Sequence, residues 1–231
     1  MQARHEFLEH LHPDTQEYKY LGFSSLLEAV SKEYDRFIVR SCSPYVIITD
    51  IGPDEVDDHE ESIPGRADYS PSLQLLILSM VSLPHEEAAG VFDRLVGTKA
   101  TQMMIHRILS IRGRTHTKTS EREKQADCSY GPRHLPPGGS TQWPTLALEV
   151  AFPESREKVK KDVAWWLNRS AGDVLRAISI DIKRPSGNIY TTLWKRGMAT
   201  NQCPNPDPEA LQEIKIYRAK MVNHQVSPEE T

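Results

Sequence analysis

Lys124-Gln125-Ala126-Asp127 and Trp143-Pro144-Thr145-Leu146-Ala147-Leu148-Glu149-Val150 are the two stretches that decide the fold of this 231-residue chain. Each is a short extended segment with a carboxylate towards its end, and a loop rich in Pro and Gly joins them. Because that loop cannot be helical, we expect two neighbouring strands that bring Asp127 and Glu149 together. Mg²⁺ takes oxygen ligands and is commonly held by one or two carboxylates with water and substrate phosphate. The pair is therefore a minimal cation site.

The composition predicts a soluble intracellular protein, cytoplasmic or nuclear. The net charge is -4, with 28 Lys+Arg against 32 Asp+Glu, so the whole chain offers no basic field to a polyanion. The three cysteines lack C-x-x-C spacing, which excludes a zinc ribbon and disfavours a disulfide framework. No apolar segment follows the N-terminus, and the run from Leu73 to Leu83 is too short to cross a membrane.

Hydrophobic periodicity predicts an α/β (α+β) fold with a central mixed β-sheet flanked by helices. We expect one domain over residues 1–200 with an N-terminal helical arm, then a Pro-rich linker and C-terminal extension over 201–231. The acidic segment 52–70 is expected to be an exposed loop, and residues 209–222 fit either a helix or an edge strand. The predicted helices are 24–36, 85–96 and 155–170. The predicted strands are 37–39, 45–48, 73–80, 103–111, 174–182 and 189–194, with a turn at 184–188 between the last two.

The helix over 155–170 has the clearest pattern. Its spacing places Val159, Val163, Trp166 and Leu167 on the buried side and predicts that Lys158 and Asp162 share one flank. The adjacent pair Trp165-Trp166 suggests base stacking, but its position near the apolar stripe favours packing in the core.

The stretch from Arg107 to Lys124 is the locally basic part of the chain. Two interpretations stay open for it. It is either a solvated hairpin or an edge that contacts the phosphates of a nucleic acid.

Four motifs follow one another along the second half of the chain: Lys124-x-x-Asp127, the stretch Trp143 to Val150, Glu154-Ser155 and Lys161-Asp162-x-x-Trp165-Trp166-Leu167. Together they resemble uncharacterised fungal proteins that look like relatives of the restriction-endonuclease-like PD-(D/E)xK superfamily. The turn at Ser82-x-Pro84-His85-Glu86 is also similar to the helix that precedes the catalytic strands in a bacterial branch of that superfamily.

The resemblance implies a restriction-endonuclease-like core and a metal-dependent nuclease. By that resemblance, Asp127 and Glu149 match the carboxylates that bind Mg²⁺ or Mn²⁺, and the carbonyl of Val150 adds a ligand. A lysine two residues after the Glu helps to activate water in the superfamily, but this chain has Ala151 there. Relatives supply that lysine from the following helix, which makes Lys158 the candidate here.

Two roles stay open for Lys158: it acts as the relocated lysine, or it forms an ordinary i,i+4 ion pair with Asp162.

Three functions also stay open. The chain is a metal-dependent phosphodiesterase that acts on nucleic acid, or a degenerate nuclease fold that binds a partner or small molecule. In the third hypothesis the same pocket serves a different enzyme activity, since a fold does not determine function.

Overall fold

The computed structural model describes residues 2–40, 42–113, 116–152, 156–183, 186–217, 221–222 and 225–226. The helices are α1 (Gln2–Leu8), α2 (Phe23–Arg40), α3 (Pro53–Asp58), α4 (Leu83–Gln102) and α5 (Arg156–Arg169). The first seven strands are β1 (Gln16–Lys19), β2 (Tyr45–Thr49), β3 (Arg66–Ser70), β4 (Leu75–Ser79), β5 (Leu109–Ile111), β6 (His116–Lys118) and β7 (Glu123–Gln125). The others are β8 (Cys128–Pro132), β9 (Leu146–Ala151), β10 (Arg176–Ile182), β11 (Ile189–Lys195), β12 (Glu209–Ile216), β13 (Met221–Val222) and β14 (Gln225–Val226).

Twelve of these strands form two six-stranded sheets. The first has the order β1-β2-β4-β3-β7-β6 and the second the order β12-β11-β10-β9-β8-β5. Both are mixed, since β1 runs parallel to β2 and β9 parallel to β10, whereas the other neighbours in each sheet are antiparallel. The predicted class, mixed sheet flanked by helices, is confirmed. Its division into two sheets was not anticipated.

The chain crosses from one sheet to the other at Ala126-Asp127. Strand β7 ends at Gln125 in the first sheet, and β8 begins at Cys128 in the second. Asp127 therefore lies where the two sheets meet. The Asp127 N–H donates to the carbonyl of Leu148 at 3.1 Å, so the residue is held against β9.

The second sheet is packed between α4 and α5. Successive side chains of a strand point to opposite faces, and β9 follows that rule: Ala147 and Ala151 pack with α5, whereas Leu148 and Val150 pack with α4. Glu149 consequently points to the α5 side. The predicted buried stripe of α5 (Val159, Val163, Trp166 and Leu167) is confirmed.

Around the first sheet, α2 covers one face and α1 lies against the other. Val46, Ile48, Leu76 and Leu78 pack with α2. The alternating residues Tyr45, Ile47, Leu75 and Ile77 pack with Phe7 and Leu8 of α1. The predicted N-terminal arm is thus a short helix docked on a sheet.

Three local predictions were wrong. Phe37-Ile38-Val39 is the end of α2 rather than a strand, because Phe37 continues the buried stripe of that helix. The segment 52–70 contains α3 and the fully buried β3 rather than an exposed loop. Only Leu109–Ile111 of the strand predicted over 103–111 is extended, and α4 runs on to Gln102.

Other predictions concern the chain ends and turns. Residues 209–216 form an edge strand, β12, which pairs with β11, and the division into domains stays a prediction. Helix α4 is confirmed. Its sequence predicts an apolar face of Ala88, Val91, Phe92 and Leu95, but Val91 and Leu95 are exposed and His85 and Ala89 are buried instead. The expected helix start at Ser155 and part of the turn Arg184–Asn188 lie outside the described residues.

None of the helices described here is long and apolar enough to span a bilayer.

Candidate functional site

The predicted site residues line one small cavity between the two sheets. Its volume is about 30 Å³, which is room for about two water molecules. Asp127, Glu149, Val150 and Lys158 all contribute to its wall, as do Lys124, Asp162, Arg66 and His85. The structure therefore brings together the four residues that the sequence pointed to.

Asp127 is surrounded by donors. Arg66 Nε donates to Oδ1 at 3.0 Å, and the Val150 N–H donates to Oδ2 at 2.6 Å. His85 Nε2 lies 3.3 Å from the same Oδ2. Burial alone would raise the pKa of Asp127, but His85, Arg66 and the Val150 N–H together lower it to about 2. Asp127 is therefore ionised across the neutral range.

Glu149 has weaker compensation. Trp166 Nε1 donates to Oε1 at 2.5 Å, and Lys124 Nζ lies 3.5 Å from that oxygen. Burial raises the pKa of Glu149 to about 7, with the Lys124 ammonium opposing and the carboxylates of Asp162 and Asp127 adding to the rise. Near neutral pH, Glu149 exists as a mixture of acid and carboxylate.

Asp162 explains why Lys124 does not hold Glu149 more firmly. Its Oδ2 accepts from Lys158 and lies 3.2 Å from Lys124 Nζ, and its Oδ1 lies 3.1 Å from Arg122. Although burial opposes ionisation, Lys124, Lys158 and Arg122 hold the pKa of Asp162 far below its ordinary value. Of the two roles predicted for Lys158, the structure shows the i,i+4 ion pair with Asp162.

A buried ionic network extends from this site into the first sheet. Arg122 donates from Nε to Asp68 Oδ1 at 2.6 Å, and Arg66 Nη2 donates to Glu86 Oε1 at 2.8 Å. The Arg122 guanidinium also lies 5.3 Å from the ring centre of Trp165, at cation–π distance. These contacts fix strands β3 and β7 against α4 and α5.

The two tryptophans of α5 belong to the core. Trp166 is fully buried and meets Trp165 and Trp143 edge-on, at ring-centre distances of 4.8 and 6.1 Å. Packing, the interpretation favoured from the sequence, accounts for both.

The basic stretch Arg107 to Lys124 contains β5 of the second sheet and most of the β6–β7 hairpin of the first, and much of its charge is paired within the protein. Arg122 and Lys124 belong to the buried network. Lys118 lies 3.1 Å from Glu60, and Arg112 Nη1 donates to the Trp143 carbonyl at 3.0 Å. Arg107 is exposed.

Sequence reasoning missed Arg66 and Asp68, and it assigned no role to Lys124 in the site. The signal was present in Arg66-Ala67-Asp68-Tyr69-Ser70, whose polar residues alternate with apolar ones as in a strand with one polar face. The surrounding acidic residues led to the interpretation of this segment as a loop. A charged residue in a strand pattern flanked by core residues indicates a buried ion pair.

The carboxylate oxygens of Asp127 and Glu149 are ligands of the type that a hard divalent cation prefers. In the part of the chain that the structure describes, no group of three or more His, Cys, Asp or Glu side chains is arranged to hold a metal ion. The neighbouring lysines compensate the charge of ionised Glu149 only in part, so a divalent cation bound beside it would stabilise the carboxylate. Both oxygens of Asp127 already accept hydrogen bonds, and the positive charge of Arg66 beside Oδ1 opposes the approach of a cation to that oxygen.

No protein-family model matches the chain, and no curated protein matches it. Among solved structures, the chain is similar to a candidate nuclease belonging to DUF820 from Anabaena variabilis. The TM-score is 0.41 at 13% identity, and the match covers 66% of this chain and 82% of that one.

Proposed function

We propose that this protein is a phosphodiesterase of the PD-(D/E)xK type that acts on nucleic acid with Mg²⁺ or Mn²⁺. The observation that supports the proposal is the placement of two buried carboxylates, Asp127 and Glu149, on the wall of one cavity beside the ammonium groups of Lys124 and Lys158. In this proposal the protein is intracellular, and exposed Arg107 contributes to binding the nucleic acid.

Asp127 and Glu149 would hold the cation, together with the carbonyl of Val150. When bound, such a cation lowers the pKa of water and stabilises the charge that develops on the phosphate. The chain's own groups would do the rest. Lys124 keeps its proton because the nearby carboxylates raise its pKa despite burial, so it supplies a permanent positive charge 3.5 Å from Glu149 Oε1.

Glu149 is suited to cation binding. Burial raises its pKa to about 7 in the absence of a cation, and a cation bound beside it would favour the ionised carboxylate. The Trp166 N–H orients the group by donating to Oε1. In this proposal Lys124 takes the part of the lysine that is absent at Ala151, and Lys158 positions Asp162.

The test is cleavage of plasmid, duplex and single-stranded substrates in the presence of Mg²⁺ or Mn²⁺. We expect Asp127→Asn, Glu149→Gln and Lys124→Met to reduce cleavage by about 100-fold or more, since removing one group that stabilises transition-state charge has cost this much elsewhere. Asp207→Asn, an exposed acid paired with Lys160, is the matched control. Absence of cleavage, with cation affinity unchanged in both acid variants, would contradict the proposal.

A second candidate is a nuclease-like fold that binds without hydrolysis. The specific observation in its favour is that Arg66, His85 and Val150 all contact Asp127, so its charge is already compensated. This candidate predicts that a nucleic acid or small molecule binds, that Asp127→Asn weakens binding, and that no cation-dependent product forms.

A further inference from the structure

Arg66 binds Asp127, the carboxylate that the proposed function assigns to the cation. It is a charged residue of β3 and is almost completely buried. Its Nε donates to Asp127 Oδ1 at 3.0 Å and its Nη2 to Glu86 Oε1 at 2.8 Å. One side chain from the first sheet thereby binds a predicted metal ligand of the second.

The third nitrogen of the Arg66 guanidinium, Nη1, lacks a hydrogen-bond acceptor among the described residues. This nitrogen is also buried. A buried N–H without a partner costs about 1–3 kcal/mol, so this nitrogen favours a ligand that accepts a hydrogen bond. Arg66 lines the cavity that also contains Lys124 and Lys158. The wall thus holds three positively charged side chains, interspersed with the carboxylates of Asp68, Asp127, Glu149 and Asp162.

A phosphodiester matches that chemistry. Guanidinium groups bind phosphate through two parallel N–H···O bonds, which are stronger than neutral hydrogen bonds. A phosphate group is larger than the two water molecules that fit the cavity, so its entry requires side chains to move. Turning Arg66 from Asp127 towards a phosphate would satisfy Nη1 and free Oδ1 in the same movement.

We infer that Arg66 is the phosphate-binding residue of this site and that its contact with Asp127 excludes the cation until nucleic acid is present. The inference rests on the proposed function. Nucleic acid and cation then bind cooperatively, because the phosphate removes the positive charge that competes with the cation for Asp127. Such a coupling is reciprocal and is typically 5- to 150-fold in affinity.

The experiment measures Mn²⁺ affinity by isothermal titration calorimetry, with and without a short single-stranded oligonucleotide that carries phosphorothioate linkages. For the wild type, we expect the oligonucleotide to increase Mn²⁺ affinity by about 5- to 150-fold. Arg66→Gln should show the high affinity without oligonucleotide and little further gain with it. Arg169→Gln, which removes an exposed arginine paired with Glu121, should behave as the wild type. Asp127→Asn corrects for Mn²⁺ bound to the oligonucleotide alone.

The outcomes separate this inference from the proposed function. If the wild type and Arg66→Gln bind Mn²⁺ equally, the oligonucleotide has no effect and Asp127→Asn abolishes binding, then the inference is wrong and the cation site stands. If no variant binds Mn²⁺ under any condition, the proposed function fails as well. Should Arg66→Gln not fold, Arg66→Lys replaces it, because lysine keeps the positive charge but cannot bind phosphate through two parallel N–H bonds. A gain in Mn²⁺ affinity with oligonucleotide as large as that of the wild type would contradict the inference.

Discussion

The two carboxylates of the site have opposite electrostatic surroundings. Asp127 is held by a guanidinium, an imidazole and a backbone N–H, and its pKa falls to about 2. Glu149 shares the Lys124 ammonium with the more strongly compensated Asp162, and its pKa rises to about 7. Burial raises the pKa at both positions. The difference shows that the number and placement of the neighbouring cations decide which carboxyl stays ionised.

Asp162 creates this asymmetry, and its removal should have the largest effect. Asp162→Asn would leave Arg122, Lys124 and Lys158 short of a shared carboxylate, and breaking a buried ion pair typically costs about 3–5 kcal/mol. We expect a loss of that order in the free energy of unfolding, measured by urea denaturation. Asp207→Asn on the surface should change little. Equal effects of the two substitutions would mean that the network contributes nothing to stability.

Glu149→Gln should lose less stability than the wild type as pH rises. An acid whose pKa is higher in the folded state makes stability fall as pH rises between its two pKa values. For Glu149 that window lies between 4.5 and about 7, and the shift corresponds to up to about 3 kcal/mol. Unfolding at a series of pH values should show the variant gaining on the wild type across that window. A constant difference would contradict the raised pKa.

Asp127→Asn should act in the opposite direction and at lower pH. The folded-state pKa of Asp127 is depressed from 3.8 to about 2, so the wild type loses this contribution as pH falls through that range. The shift corresponds to about 2 kcal/mol. The gap between wild type and variant should therefore shrink by that amount between pH 4 and pH 2, as followed by circular dichroism. If the gap stayed constant on acidification, His85, Arg66 and the Val150 N–H would not be compensating the charge of Asp127.

The smallest effect concerns the indole of Trp166. Trp166→Phe removes the N–H that donates to Glu149 Oε1, and a hydrogen bond to the charged form of an acid lowers its pKa. With about 1 kcal/mol for the bond, the pKa of Glu149 should rise by roughly one unit. Carbon NMR of the side-chain carboxyl measures this value, and Trp165→Phe is the neighbouring control. A lower pKa in the Trp166 variant would exclude the predicted role.

Much of the second sheet and its helices could be predicted from local pattern. The helix now seen as α5 has a regular apolar stripe, and β9, β10 and β11 are apolar or alternating runs bounded by turn residues. These patterns report burial directly. The first sheet was harder to predict, because the fully buried strand β3 contains Arg66 and Asp68 and its sequence therefore resembles a polar loop. Its burial depends on partners that are distant in the chain.

The sequence by itself determined the types of side chain available: two carboxylates on neighbouring extended segments, no lysine at Ala151, and a Lys158–Asp162 pair on one side of a helix. Tertiary structure decided which charges that are distant in the chain meet. Arg66 is separated from Asp127 by 61 positions and Arg122 from Asp162 by 40, and only the crossing of the chain between the sheets at Asp127 brings them together. The ionisation of each acid follows from those long-range contacts, because Coulomb interactions depend on distance in space rather than along the chain.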